Sequence, residues 1–155
     1  MNQLRDALEL FELLKQNHLQ ISTAESCTGG MIASILTSIP GISAVFTEGI
    51  VCYSNESKIF RLGVKKETID TFGAVSKEVV SEMISGLKSA AGIAVSGIAG
   101  PDGGTKEKPL GTVVIGVKAG EKSIVEVNFF SGSRDEIREK SAEKAILMMV
   151  GLIRN

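Results

Sequence analysis

The stretch Ile21-Ser22-Thr23-Ala24-Glu25-Ser26-Cys27-Thr28-Gly29-Gly30-Met31-Ile32-Ala33 decides the fold. Ile21 to Glu25 is short, enters a small-residue turn and reads as a buried strand. Cys27 to Thr37 then reads as a helix, stopped by Pro40-Gly41. A strand that passes straight into a helix is the building unit of a layered α/β sheet. The same junction places a serine hydroxyl at the end of a strand, beside helix N-terminal N–H groups that can receive a developing oxyanion.

Working outward, Leu4, Leu8, Phe11 and Leu14 recur at helical spacing, so a first helix precedes the strand and ends near Asn17. After it, Ala44 to Tyr53 is β-rich, and a short helix is expected from Asn55 to Leu62. Val79, Val80, Met83, Ile84 and Leu87 form one apolar stripe on a helix with Ser76 as N-cap. Ala91 to Ser96 is a buried strand that runs into a long Gly- and Pro-containing loop, 97–109. Gly111 to Lys118 and Ser123 to Phe130, joined through Ala119-Gly120-Glu121, read as a hairpin. The last helix opens on Ser133-x-x-Glu136, a capping box. Helices alternating with strands, with a hairpin late in the chain, predict a three-layer α/β/α arrangement around a sheet of mixed direction. With no linker, repeat or low-complexity segment, residues 1–155 are expected to form one domain.

The bulk numbers narrow the function. Hydrophobic residues make up 43% and charged ones 23%, an ordinary globular composition. A net charge of −1 gives no general pull toward nucleic acid or a membrane surface, and with no Trp and one Tyr there is little to stack bases on. Two cysteines without ligand spacing, and His18 as the only histidine, assemble no zinc site from His and Cys. Arg5, Asp6 and Glu9 interrupt the first residues, which argues against a signal peptide, and the longest apolar run is too short to span a bilayer. A cytoplasmic protein is expected. No metal or cofactor and no nucleic-acid or membrane partner is expected either.

Four segments carry possible chemistry. In the first, Ser26 and Thr28 sit where either a nucleophile or a simple helix cap would sit, with Gly29 and Gly30 behind them. A serine nucleophile needs a base. His18 ends a helix upstream of the strand and points the wrong way in chain direction, which leaves a lysine held neutral by burial. Ser85-x-x-Lys88 has the spacing of one serine–lysine motif, but both residues are placed mid-helix, away from the apolar stripe, and its partner motifs are missing. Lys58 is better placed, where a β-rich segment passes into a helix. Tyr53, five residues earlier, can share its cleft, although an exposed helix lysine is the commoner outcome.

The third segment is Ser96 to Thr105, whose Gly100, Gly103 and Thr105 either bring backbone N–H groups close to an anion or form a plain surface loop. The fourth holds Arg134 and Arg138 in the first turns of a helix, against the dipole preference. A bound phosphate explains them, and so does an ion pair with Asp135 or Glu139.

These segments, in this order, resemble the CinA C-terminal-domain family, whose stand-alone members are nicotinamide mononucleotide amidohydrolases. The matching stretches are TAESCTGG, EGIVCYSNESK, FGAVS from Phe72 to Ser76, VSGIAGPDGGT with the following KPLGTV, and FSGSRDEIR. The resemblance implies metal-free hydrolysis of the nucleotide's carboxamide to nicotinic acid mononucleotide and ammonia. It puts the family's serine on Ser26, its lysine on Lys58 and its tyrosine on Tyr53, with a hydroxyl retained at Thr105. It further implies a homodimer and a small-molecule nucleotide substrate. The extra N-terminal domain of larger relatives has no counterpart here, so its activity on nucleotide diphosphates is not expected.

Joining both lines, neutral Lys58 takes the Ser26 proton, and Tyr53 orients the lysine or relays a proton to departing ammonia. Backbone N–H groups around Gly29 and Gly30 hold the oxyanion. Arg134 or Arg138, with the 100–105 loop, holds the phosphate. The competing reading is a non-catalytic nucleotide-binding or competence-related partner module. It predicts binding without ammonia release.

Overall fold

A computed structural model describes residues 2–155. Five strands, β1 (Ile21–Glu25), β2 (Phe46–Val51), β3 (Ala91–Gly97), β4 (Thr112–Ala119) and β5 (Lys122–Phe129), form one sheet in the order β2-β1-β3-β4-β5. β1 pairs in parallel with both β2 and β3, while β4 and β5 are antiparallel, which makes the sheet mixed as expected.

Helices cover both faces. On one lie α1 (Gln3–Gln16), α2 (Met31–Thr37) and α6 (Arg134–Arg154). On the other lie α3 (Asn55–Leu62), α4 (Lys66–Phe72) and α5 (Lys77–Gly86). The alternation along β3 drives this layering, because successive side chains of a strand point to opposite faces. Ile93 and Val95 pack with Leu10, Leu14, Ile137 and Met149, whereas Ala94 packs on the opposite side with Val80, Met83 and Ile84.

The connections locate the site. The chain leaves β1 through α2 to β2 on one side, then crosses through α3, α4 and α5 to β3 on the other side of β1. The carboxyl end of β1 is therefore a topological switch point, where the two crossovers diverge and open α/β sheets receive their ligands. Ser26 is the first residue beyond that end.

Two local expectations need correction. The helix after β1 begins at Met31 rather than Cys27, because Gly29 and Gly30 adopt left-handed φ values of +59° and +100° and keep 26–30 as a turn. Lys88 lies beyond the end of α5 instead of within it, so Ser85 and Lys88 share no helix. Helix α4 was not anticipated. Its single fully inward residue, Ile69, gives too little apolar period to be read.

Candidate active site

β1 delivers Ser26 to the switch point and fixes its backbone there. The Ser26 N–H donates to Val95 O at 3.1 Å, and Cys52 N–H donates to Glu25 O at 2.9 Å. On the other side, Ser54 caps α3 by accepting from Ser57 N–H, so Lys58 lies in the opening turns of a well-defined helix. Lys58 and Leu62, four residues apart, turn inward together. Lys58 is 2% exposed, among the largest fully buried side chains of the molecule.

Its ammonium nitrogen has three partners. Nζ lies 3.2 Å from Ser26 Oγ, 3.1 Å from Cys52 O and 3.2 Å from Tyr53 O. No carboxylate forms a salt bridge with it among the described residues. Burying a lysine without a counter-ion disfavours its charged form, and burial is the chief cause that lowers the Lys58 pKa from its ordinary value. The neighbouring thiols Cys52 and Cys27 oppose this more weakly. A neutral amine has two N–H donors and one lone pair. In the charged form the three N–H groups find Cys52 O, Tyr53 O and Ser26 Oγ as acceptors, and the Ser26 hydroxyl lies 3.5 Å from Tyr53 O. In the neutral form the two carbonyls keep their N–H donors and the Ser26 hydroxyl can turn to donate to the lone pair. The arrangement can deprotonate Ser26.

Tyr53 contributes through its main chain. Its carbonyl accepts from Lys58 Nζ, whereas the half-exposed phenol lies 3.1 Å from Arg134 Nη2. The atom of Tyr53 that meets the lysine is thus the carbonyl and not the phenol. Thr28 is fully buried and its Oγ1 has no partner among the described residues.

Several N–H groups of this strand–helix junction are already engaged. The N–H groups of Ile32 and Ala33 at the start of α2 are taken by the Glu25 carboxylate, at 2.9 and 3.0 Å. Gly29 N–H is taken by Ser26 O at 3.0 Å. The turn keeps the N–H groups of Cys27, Thr28 and Gly30 without an acceptor among the described residues, and of the three residues only Gly30 is not buried.

Both arginines of α6 reach this corner. Arg138 Nε donates to Cys27 O at 3.0 Å and Nη2 donates to Thr28 O at 3.2 Å, gripping the turn from behind, while its contact with Asp135 is longer, 3.5 Å. Arg134 Nη1 donates to Gly100 O at 2.6 Å and so ties the glycine loop to Tyr53. The carbonyls of the serine turn and of the loop therefore explain the two cations at a helix N-terminus more fully than an ion pair does. Gly103 and Thr105 lie further along the loop. Thr105 closes a turn with Lys108, whose ammonium donates to Phe72 O, and no hydrogen bond links Thr105 to the Ser26 turn among the described residues.

His18 lies beyond α1 beside Leu14 and Gln20, remote from Ser26. A cleft of about 540 Å³ along β2 and one of about 380 Å³ beside the β4–β5 turn contain neither Ser26 nor Lys58. Among the described residues no group of three or more His, Cys, Asp or Glu side chains is placed to hold a metal. No helix among them is long and apolar enough to cross a membrane. The residue that the sequence reading overlooked is Glu25. Its position directly before Ser26, as an acid inside a buried strand, was the available signal.

The fold has close counterparts among solved structures. A protein of Agrobacterium tumefaciens described as competence/damage inducible protein CihA superposes with a TM-score of 0.93 at 38% identity, covering 98% of this chain and 96% of that one. The competence damage-inducible protein A (ComA) of Klebsiella pneumoniae gives a TM-score of 0.96 at 31% identity, over 100% and 99% of the two chains. A CinA-like protein of Fusobacterium nucleatum is 51% identical over 140 residues, which is 90% of this chain and 35% of that protein. One from Kosmotoga olearia is 50% identical over 86% of this chain and 34% of its own length. The chain thus spans about a third of the curated relatives it matches. The CinA C-terminal domain model matches residues 4–153, a span that holds the serine turn, the buried lysine and both arginines, and the chain belongs to the CinA C-terminal domain family.

Proposed function

We propose that this chain is a serine–lysine amidohydrolase acting on the carboxamide of nicotinamide mononucleotide. The observation that carries the reading is the buried Lys58 amine, 3.2 Å from Ser26 Oγ with two carbonyls and no carboxylate around it. Structural lysines seldom lie this deep without a counter-ion, because the charged form is costly there. A general base benefits from the lowered pKa that results.

In the proposed reaction Lys58 accepts the hydroxyl proton as Ser26 Oγ bonds to the carboxamide carbon. The Gly30 N–H, in the accessible part of the turn and without an internal acceptor, receives the oxyanion. The lysine ammonium passes its proton to the amide nitrogen, the C–N bond breaks and ammonia leaves. Water, deprotonated by the same amine, then attacks the acyl-serine and releases nicotinic acid mononucleotide and the Ser26 hydroxyl. The substrate's identity rests on the family resemblance of the serine, lysine and arginine segments. Arg134 is the phosphate ligand in this reading, since its guanidinium has N–H groups beyond the two used on Gly100 and Tyr53. Arg138 has its main contacts on the serine turn.

Ammonia release from nicotinamide mononucleotide, nicotinamide riboside and free nicotinamide tests the reading. The nucleotide is expected to be turned over with a kcat/KM at least about tenfold above the riboside. Equal turnover of all three removes the phosphate assignment. Tight nucleotide binding with no ammonia replaces the enzyme by a binding module.

A further inference from the structure

We propose that Glu25 is a positioning residue for the Ser26–Lys58 pair, holding the serine turn in its reactive geometry from beneath. The proposal rests on the serine–lysine reading above, and it concerns a residue that touches neither the reacting atoms nor a substrate.

Glu25 is 1% exposed and has no cation in salt-bridge range among the described residues. A buried, unpaired carboxylate is costly unless several N–H groups satisfy it. Here Oε1 accepts from Ile32 N–H and Oε2 from Ala33 N–H, across the five-residue turn 26–30. Capping alone does not call for this device. The helices α1, α3, α5 and α6 are capped by the local side chains of Asn2, Ser54, Ser76 and Ser133. The α2 N-cap is Gly30, which has no side chain to offer. The Glu25 carboxylate, five residues before that N-cap, does that work instead, so no side chain of the turn is needed as a cap and the Gly30 N–H keeps no internal acceptor.

The same residue fixes the other partner. Glu25 O accepts the Cys52 N–H at 2.9 Å, and Cys52 O is one of the two carbonyls that hold Lys58 Nζ. One residue thus ties the serine turn to α2 through its side chain and the lysine cradle to β1 through its carbonyl. Ser26 has limited further support on the turn side. Arg138 grips Cys27 O and Thr28 O from outside, and Gly29 and Gly30 are conformationally permissive. Without the carboxylate anchor the turn loses its fixed floor. A shift of about 1 Å in a nucleophile is enough to cost about a hundredfold in rate.

Glu25→Gln keeps the length but leaves one acceptor oxygen, and Glu25→Asp keeps the charge but withdraws it by one methylene. Each variant is assayed well below its unfolding temperature in two ways. The first is kcat and KM for nicotinamide mononucleotide. The second is the rate at which p-nitrophenyl acetate acylates Ser26, read as an acetylated Ser26 peptide with Ser26→Ala as blank. Both variants are expected to lose at least about tenfold in kcat and in acylation rate, with KM changed by less than about threefold. A purely structural carboxylate predicts a lower unfolding temperature with kcat and acylation unchanged in the folded enzyme, and that result overturns the proposal. If Glu25→Gln does not fold, Glu25→Asp carries the same comparison. If wild type acylates at Ser26 but releases no ammonia from the nucleotide, the substrate reading fails while the acylation rates still decide the role of Glu25.

Discussion

Replacing Gly86 by alanine is expected to destabilise the protein, although the same change in most helices does the reverse. Gly86 is the last residue of α5, and a Cβ built there meets Leu62 O at 2.0 Å, Leu62 C at 2.7 Å and Leu62 Cα at 2.8 Å. All three are backbone atoms of α3, so no rotamer change relieves the contact. An unstrained carbon–oxygen approach is about 3.3 Å or more, and α5 must therefore draw back from α3 by about 1 Å. Overpacking of this kind costs about 3 kcal/mol. The helix-propensity gain of alanine over glycine returns at most about 1 kcal/mol. The net loss is about 2 kcal/mol, which for a chain of this size lowers Tm by about 4–8 °C. Gly151 supplies the control. It lies within α6 with nothing inside 4 Å of its virtual Cβ, so Gly151→Ala should raise Tm by about 2–4 °C. Thermal unfolding followed by far-ultraviolet circular dichroism measures both. Equal or higher Tm for Gly86→Ala refutes the packing argument. Because α3 carries Lys58, the variant should also lose activity at temperatures where it is folded.

Lys58→Met should change how stability depends on pH. The folded-state pKa of Lys58 lies below its ordinary 10.5, so between the two values the unfolded chain binds more protons and wild-type stability climbs as pH rises. Urea unfolding of the methionine variant across that window should show the climb reduced, and an unchanged slope would mean that Lys58 is not desolvated. Tyr53→Phe removes only the contact with Arg134, so kcat should stay within about threefold of wild type, whereas a loss beyond about tenfold would put the phenol in the chemistry. Arg138→Ala frees Cys27 O and Thr28 O, and should lower Tm and kcat together, with Arg134→Ala acting mainly on KM for the nucleotide; the opposite split would exchange the two roles. Burial pushes the Cys27 thiol up to about 11, so at pH 8 about one in a thousand is thiolate. Iodoacetamide should leave Cys27 unmodified in the folded protein and alkylate it in urea. Rapid labelling of the folded form would contradict the burial.

Much of the fold was legible because its signals are local. Ile21–Glu25 and Asn55–Leu62 have the bounds their residue patterns predict, and Ser76 and Ser133 cap their helices as expected. The start of α2 was misread because Thr28-Gly29-Gly30 carries helix-opening chemistry, while the residue that caps the helix stands before the turn. Sequence offsets of seven and eight residues lie outside any capping pattern. The proximity of Lys58 to Ser26 was within reach as a choice of residue type, but not as geometry. It depends on β1 and β2 being neighbours, which sets residues 32 positions apart at hydrogen-bond distance. Tyr53 shows a further limit. A side chain can be singled out from its chemistry, yet the atom that touches Lys58 is the carbonyl, which every residue possesses. The two arginines were marked by their breach of the dipole preference, but their main-chain partners are oxygens 110 and 34 residues away, which no local rule names.

The most direct test of the central claim is ammonia release from nicotinamide mononucleotide by wild type, Ser26→Ala and Lys58→Ala, measured with a chelator present and at substrate concentrations that separate kcat from KM. The account predicts that wild type releases ammonia and that each variant loses at least about a hundredfold in kcat, with Lys58→Ala still folded and still binding the nucleotide. A Lys58→Ala enzyme that keeps its kcat, or activity abolished by the chelator alone, would contradict it.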